Sequence, residues 1–233
     1  MRGAEGDEQV LTSGGQGLAD WHGSLRVAFL PSPRGRPVKI WVIDNGSQWT
    51  HRQGRVLRYM KQDTQIVPND TPLADLAAAQ VDGLVLSGSG ARVGMDAGLG
   101  QVGAYLDRLD VPVLGVCAGH QFMARHFGGQ AAPGLAPEFG RVEMEVVDED
   151  DILRGVPHRT VVWASHHDEV SVLPPDFKVL ARSESCPIQV MRHRTRPLFG
   201  MSFHPEVEHT QDGVAMFRNF VRICEERKAT SKS

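Results

Sequence analysis

Two short segments hold residue types that could do covalent chemistry. The first is Gly115-Val116-Cys117-Ala118-Gly119, set between an apolar run and a helix-like stretch. It is the cysteine form of Gly-x-Ser-x-Gly, a sharp strand-to-helix turn that projects a nucleophile at the end of a strand. The turn needs glycines because it brings backbone segments close together. The following helix aims its N-terminal end at the sulfur, which favours the thiolate. The second segment is His204-Pro205-Glu206, just after the run Leu198–Phe203. A nucleophilic thiol needs a base, and the base needs an orienting acid. His204 and Glu206 could supply both if their strand end lies beside the elbow. Each segment also has a plainer reading. Cys117 could be a small core residue, and His204 with Glu206 an ordinary loop. Placed at the same edge of one sheet, the two segments point to a Cys–His–Glu array.

The other reactive residue types read differently. His166-His167-Asp168, with His204 and His209, could suggest a metal site. Adjacent histidines on a strand point to opposite faces, and ligand sets usually come at helical or strand spacing, so no metal is expected. Cys117, Cys186 and Cys224 are odd in number and far apart. That argues against a disulfide framework or structural zinc and makes a reducing cytoplasm the default. Arg192-His193-Arg194-Thr195-Arg196 reads as a solvated hairpin turn. Ser13-Gly14-Gly15 hints at a phosphate loop but has no strand before it and no helix after it.

The elements that must position these residues begin at Val38. Val38–Ile43 is β-rich and ends at the turn signal Asp44-Asn45-Gly46. Trp49, Gln53, Val56, Leu57 and Met60 fall near helical spacing. Ile66-Val67 reads as a strand, and Thr71-Pro72 as an N-cap and first turn. Strands follow at Gly83–Leu86 and Val111–Val116, with helices at Gly103–Leu109 and about Gly119 to Phe127. This alternation predicts an α/β fold, a mostly parallel central sheet covered by helices on both faces. The second half is richer in strands. Val142, Met144 and Val146 alternate with Glu143 and Glu145, and further strands are expected at 161–163, 170–173, 178–181, 188–191 and 198–203. A last helix spans roughly Gly213–Arg227, with Val214, Phe217, Val221 and Cys224 on one stripe. One domain from 38 to 228 accounts for these elements. Residues 1–37, rich in Gly and Pro with only Leu25–Leu30 strand-like, read as a flexible extension, and 229–233 as a disordered tail.

The whole chain has 233 residues, 41% of them hydrophobic, with 25 Lys+Arg against 28 Asp+Glu. That suffices for a sizeable core and gives no electrostatic reason to expect nucleic acid or a membrane surface as a partner. No apolar run approaches the roughly 20 residues of a membrane span, and the opening residues lack a secretory h-region.

Elbow and His-Pro-Glu together resemble a class I glutamine amidotransferase domain, over nearly all of residues 38–224. Asp44-Asn45-Gly46-Ser47-Gln48, Leu114–Gln121, Trp163–Val170 and Ser202–Thr210 are most similar to the GMP-synthase branch of that family. The resemblance implies a flavodoxin-like fold and glutamine hydrolysis through a γ-glutamyl thioester. Cys117 would be the nucleophile, His204 the base and Glu206 its orienting acid. The backbone N–H groups of Ala118 and Ser89 would hold the oxyanion. Gly88, Gln121, Ser165 and His166 would contact L-glutamine, and Asp168 and His209 would be candidates for sensing a partner. The chain itself would need no cofactor. ATP and Mg²⁺ would belong to an ATP-pyrophosphatase synthetase subunit that takes the ammonia and converts XMP to GMP. Alternatives are an amidotransferase for another acceptor, a γ-glutamyl hydrolase, or a catalytically silent regulatory subunit. The family's oxyanion loop usually reads Ser-Gly-Gly-Pro; here it is Ser87-Gly88-Ser89-Gly90. If the third position requires a positive φ, serine there is strained.

Overall fold

The structure, a computed structural model, describes residues 37–92 and 98–231. The expected N-terminal extension, apart from Pro37, lies outside the described residues, together with its Leu25–Leu30 strand and Ser13-Gly14-Gly15 turn. In chain order the elements are β1 (Ile40–Asp44), α1 (Thr50–Tyr59), β2 (Ile66–Pro68), α2 (Leu73–Ala79), β3 (Gly83–Leu86), α3 (Val102–Arg108) and β4 (Val113–Val116). Then come α4 (Ala118–His126), β5 (Gln130–Val146), β6 (Arg159–Val172), β7 (Phe177–Arg182), β8 (Val190–His193), β9 (Leu198–Met201) and α5 (Gly213–Thr230).

The strands form one sheet in the order β2-β1-β3-β4-β9-β8-β7-β5-β6. From β2 to β9 all neighbours are parallel; from β9 to β6 all are antiparallel. The parallel half is apolar on both faces, as crossover helices require. Ile40, Val42, Val85, Leu114 and Val116 pack with Leu57 of α1 and Phe217, Phe220 and Val221 of α5. Ile43, Leu84, Leu86 and Val113 pack on the other face with Leu76, Val102, Leu106 and Met123 of α2, α3 and α4. In a doubly wound sheet of this order the ligand crevice lies outside the carboxyl ends of the strands.

Several expectations are corrected. Thr71 does not cap α2: Pro72 stands at the N-cap, and the Thr71 hydroxyl donates to the Pro68 carbonyl, 2.7 Å. The separate strands expected at 161–163 and 170–173 are one continuous β6 of 14 residues, paired with the 17-residue β5. Pro133, Gly134 and Pro137 in β5 look like strand breakers. A register shift between Pro133 and Glu138 absorbs them, and β7 pairs only with the far end of β5, at Glu145 and Val146. Pro133 therefore sits where no second strand needs its missing N–H. Helix α5 runs to Thr230, so the tail expected at 229–233 begins inside a helix. Val214, placed on the apolar stripe of α5, is exposed, while Met216 and Phe220 are buried. The basic run is not simply a solvated turn. Arg192 and His193 belong to β8, and Arg192 pairs with Asp150 at 2.8 Å. The buried His193 accepts the backbone N–H groups of Thr195 and Arg196, both at 3.1 Å.

Candidate active site

The loop ends after β1, β3, β4 and β9 meet in a cleft of about 390 Å³, within the range of small-molecule sites. Cys117 follows β4 and is the N-cap of α4, with φ 51° and ψ −108°. A non-glycine residue in this region stores about 1–3 kcal/mol of strain. The flanking glycines make the turn possible. A Cβ on Gly115 would lie 2.7 Å from the Gly119 carbonyl, and one on Gly119 would lie 2.6 Å from the Leu86 carbonyl. The backbone N–H of Ala118 opens α4, where the first N–H groups have no intrahelical partner. The thiol of Cys117 lies 3.8 Å from the Ser165 carbonyl.

His204 follows β9 and is buried. Its Nδ1 is 2.8 Å from Glu206 Oε1. Burial alone would lower the His204 pKa. The Cys117 sulfur and the Glu206 carboxylate outweigh burial and raise it to about 9. The segment is pinned from both ends: the His204 N–H donates to the Trp163 carbonyl at 2.9 Å, and the Thr210 hydroxyl donates to the His204 carbonyl at 2.7 Å. Trp49 meets the imidazole edge-on, with ring centroids 4.2 Å apart. Helix α1 supplies a further contact that has no local signal in the sequence. The buried Gln53 amide donates to Glu206 Oε1 at 3.1 Å, on the same oxygen that faces His204. At sequence level Gln53 reads only as one residue of a helical stripe.

Gly88 and Ser89 after β3, Gln121 on α4, and Ser165, His166 and Asp168 on β6 also line the cleft. A Cβ on Gly88 would stand 3.5 Å from both Cys117 Cβ and His204 Cε1, so this loop closes directly over the reactive pair. Ser89 is not among the positive-φ residues, so serine is unstrained there. His166 and His167 point to opposite faces, one buried and one exposed. Buried His166 lies 3.1 Å from Glu138 of β5. Burial would raise the Glu138 pKa, but His166 and the hydroxyls of Ser183 and Ser185 lower it to about 2. His209 stands apart from the cleft lining, its ring tilted against Trp163 with centroids 4.4 Å apart. Among the described residues, no group of three His, Cys, Asp or Glu is placed to hold a metal. The arrangement can generate a nucleophilic sulfur, shuttle its proton, and hold a developing oxyanion on backbone N–H groups.

The family model of class I glutamine amidotransferases matches residues 41–224. The chain belongs to this family. The glutamine-hydrolyzing GMP synthase subunit of Thermococcus kodakarensis is 45% identical over 187 residues, which is 80% of this chain and 99% of the relative. Its counterpart of the same name in Thermoplasma acidophilum is 47% identical over 188 residues, 80% of this chain and 93% of the relative. A crystal structure of a GMP synthase subunit from Thermoplasma acidophilum superposes with a TM-score of 0.81 at 44% identity. It covers 85% of this chain and 100% of the solved one. The strand–helix alternation led to an α/β fold and the resemblance to its amidotransferase form, and these matches share that fold.

Proposed function

We propose that this chain is the glutamine-hydrolysing subunit of a two-subunit GMP synthase, passing ammonia to a separate ATP-pyrophosphatase subunit. The observation that carries the reading is the strained Cys117 elbow facing the His204–Glu206 pair in a cleft at the carboxyl ends of β4 and β9. The names of the relatives support the acceptor.

The cycle uses this chain's own side chains. Cys117 sulfur attacks the side-chain amide carbon of L-glutamine, and His204 receives the thiol proton. Negative charge moves to the amide oxygen, held by N–H groups at Ala118 and Ser89; one such donor is commonly worth about 3–4 kcal/mol. His204 then gives its proton to the amide nitrogen, the C–N bond breaks, and ammonia leaves. A water loses a proton to His204 and attacks the γ-glutamyl thioester, releasing glutamate. The proton returns to the sulfur. Glu206 orients the imidazole and balances its charge throughout. No cofactor enters these steps; ATP and Mg²⁺ are needed by the subunit that activates XMP. Ammonia protonates in water at neutral pH and loses its nucleophilicity, so this product calls for a docked acceptor. Cytoplasmic residence fits this partnership.

The test is glutamine turnover by the chain alone, then with the ATP-pyrophosphatase subunit, ATP, Mg²⁺ and XMP. Glutamine-dependent GMP formation with accelerated turnover is expected. Turnover without GMP would favour a hydrolase or another acceptor; no turnover in either mixture would favour a silent subunit. A second expectation concerns Gln53. Gln53→Leu removes one of the two groups on Glu206 Oε1, and hydrogen bonds to charged groups are worth about 1.5–3 kcal/mol. Glutaminase kcat should fall about 10–100-fold with little change in KM, measured by steady-state kinetics.

A further inference from the structure

The antiparallel half buries a carboxylate that the cycle above does not use. The Glu138 side chain of β5 is 3% accessible. It stands opposite His166, where pairing with β6 resumes after the register shift. Irregular pairing beside a site commonly re-aims a side chain, and here it turns Glu138 inward. Three hydrogen bonds converge on the carboxylate. The hydroxyls of Ser183 and Ser185 donate to Oε1, both at 2.5 Å, and the Gln189 side-chain amide donates to Oε2 at 2.6 Å. His166 Nε2 lies 3.1 Å from the same Oε2. Replacing a buried ion and its partners by apolar residues is often neutral for stability, so this one points to a task other than holding the core.

One of the three bonds leads to the base. A carboxylate only accepts, so the Gln189 amide must turn Nε2 toward Glu138 and Oε1 the other way. Oε1 accepts the hydroxyl of Ser202, and the Ser202 N–H donates to the Gln189 carbonyl at 2.9 Å. Gln189 and Ser202 are both buried, so water does not substitute for either. Ser202 is the first residue past β9 and lies two before His204. From His204 onward the segment is held by Trp163, Thr210 and Gln53. Upstream, at Ser202, Gln189 holds it through both backbone and side chain.

Building on the glutaminase reading above, we propose that Glu138 is a positioning residue for proton transfer, fixing the His204 segment through Gln189 and Ser202. The imidazole must meet the Cys117 sulfur and then the leaving nitrogen, and a displacement of about 1 Å in such a group costs about 100-fold in rate. Without Glu138 the Gln189 amide is free to turn over, and Ser202 loses the acceptor that fixes its hydroxyl. The strand end then gains freedom just where the base begins. Glu138 comes from the antiparallel half of the sheet, so this contact makes the base depend on strands that carry no reacting group.

Steady-state kinetics on L-glutamine and a double-mutant cycle test this. Glu138→Ala and the near-isosteric Gln189→Met should each lower kcat about 10–100-fold with KM little changed. Ser202→Ala should lower it in the same way, and Glu138→Ala placed on top of Ser202→Ala should add nothing. Ser185→Ala removes another bond to the same carboxylate, off this path, and should leave kcat unchanged. Losses that multiply in the double variant, a loss carried by KM, or an equal loss in Ser185→Ala would overturn the proposal and leave Glu138 a structural tie. Should Glu138→Ala fail to fold, the cycle of Gln189→Met with Ser202→Ala decides in the same terms. Alkylation of Cys117 by iodoacetamide separates this proposal from the glutaminase reading, because it needs the base beside the sulfur but no glutamine. Alkylation slowed by Gln189→Met, where the unmodified chain hydrolyses no glutamine, supports the positioning role and sinks the activity. Alkylation indifferent to both Glu138 and Gln189 sinks the positioning role.

Discussion

Cys117→Ala brings glutamine hydrolysis down to background, a loss on the order of 10⁶ in kcat, while the protein stays folded. The substitution removes one sulfur atom from a residue that is held in place by backbone contacts: the Cys117 N–H donates to the Met201 carbonyl at 2.8 Å, and the Cys117 carbonyl accepts from Gln121 N–H at 3.0 Å. A diazo-ketone analogue of glutamine should label Cys117 alone. Cys186 and Cys224 are both fully buried. Burial pushes the Cys186 thiol up to about 12 and raises that of Cys224 as well, so neither offers a thiolate to an electrophile. Peptide mapping after labelling reads the result, and label spread over all three cysteines would contradict the elbow assignment. Cys117→Gly should melt above Cys117→Ala, because glycine takes φ 51° without the strain a Cβ brings.

His204→Ala lowers kcat by about 10⁴–10⁶, because attack and departure of ammonia both pass a proton through one imidazole. The pH dependence separates this role from a structural one. A histidine in an unfolded chain titrates near 6.5, whereas His204 is raised to about 9. The raised value means the imidazolium is favoured by the fold. Its contribution to stability is complete below about pH 6.5 and is lost as pH rises through about 9. In Glu206→Gln one of the groups that raise this value is neutral, so the alkaline midpoints of both activity and melting should move down. Rate–pH and melting–pH profiles of the two variants check this. Near-normal turnover by His204→Ala would instead require another base, with His166 and His167 the other histidines that line the cleft.

The elbow and the His-Pro-Glu segment were legible because the chemistry constrains adjacent residues. Gly115 and Gly119 are needed for a close backbone approach, and His204 reaches Glu206 across a single intervening proline. The parallel half was legible for a similar reason, since strands buried on both faces read as unbroken apolar runs. Contacts made across the fold left no such mark. Gln53 meets Glu206 over most of the length of the domain, and nothing near Gln53 in sequence distinguishes it from a helix residue facing the core. Arg92 pairs with Asp168, 76 residues away, through an ion pair that no local pattern announces. The long β5–β6 pair was hidden by prolines and glycines that the local rules count as breakers, and that an irregular register accommodates. Val214 was misplaced because α5 buries Met216, Phe220 and Ile223 instead, a slightly rotated face of the same helix.

Strands β4 and β9 are neighbours in the sheet, yet β5, β6, β7 and β8 all intervene between them in the chain. Nucleophile and base stand at the ends of these two strands, so they meet only after the entire antiparallel half has been synthesised and threaded back beside β4. Contacts between segments so distant in sequence carry a high loop-closure cost and form slowly. A nascent or half-folded chain therefore carries the elbow without its proton acceptor. Thiol chemistry stays off until the last parallel strand docks, and recovery of glutaminase activity after dilution from denaturant would time that docking event.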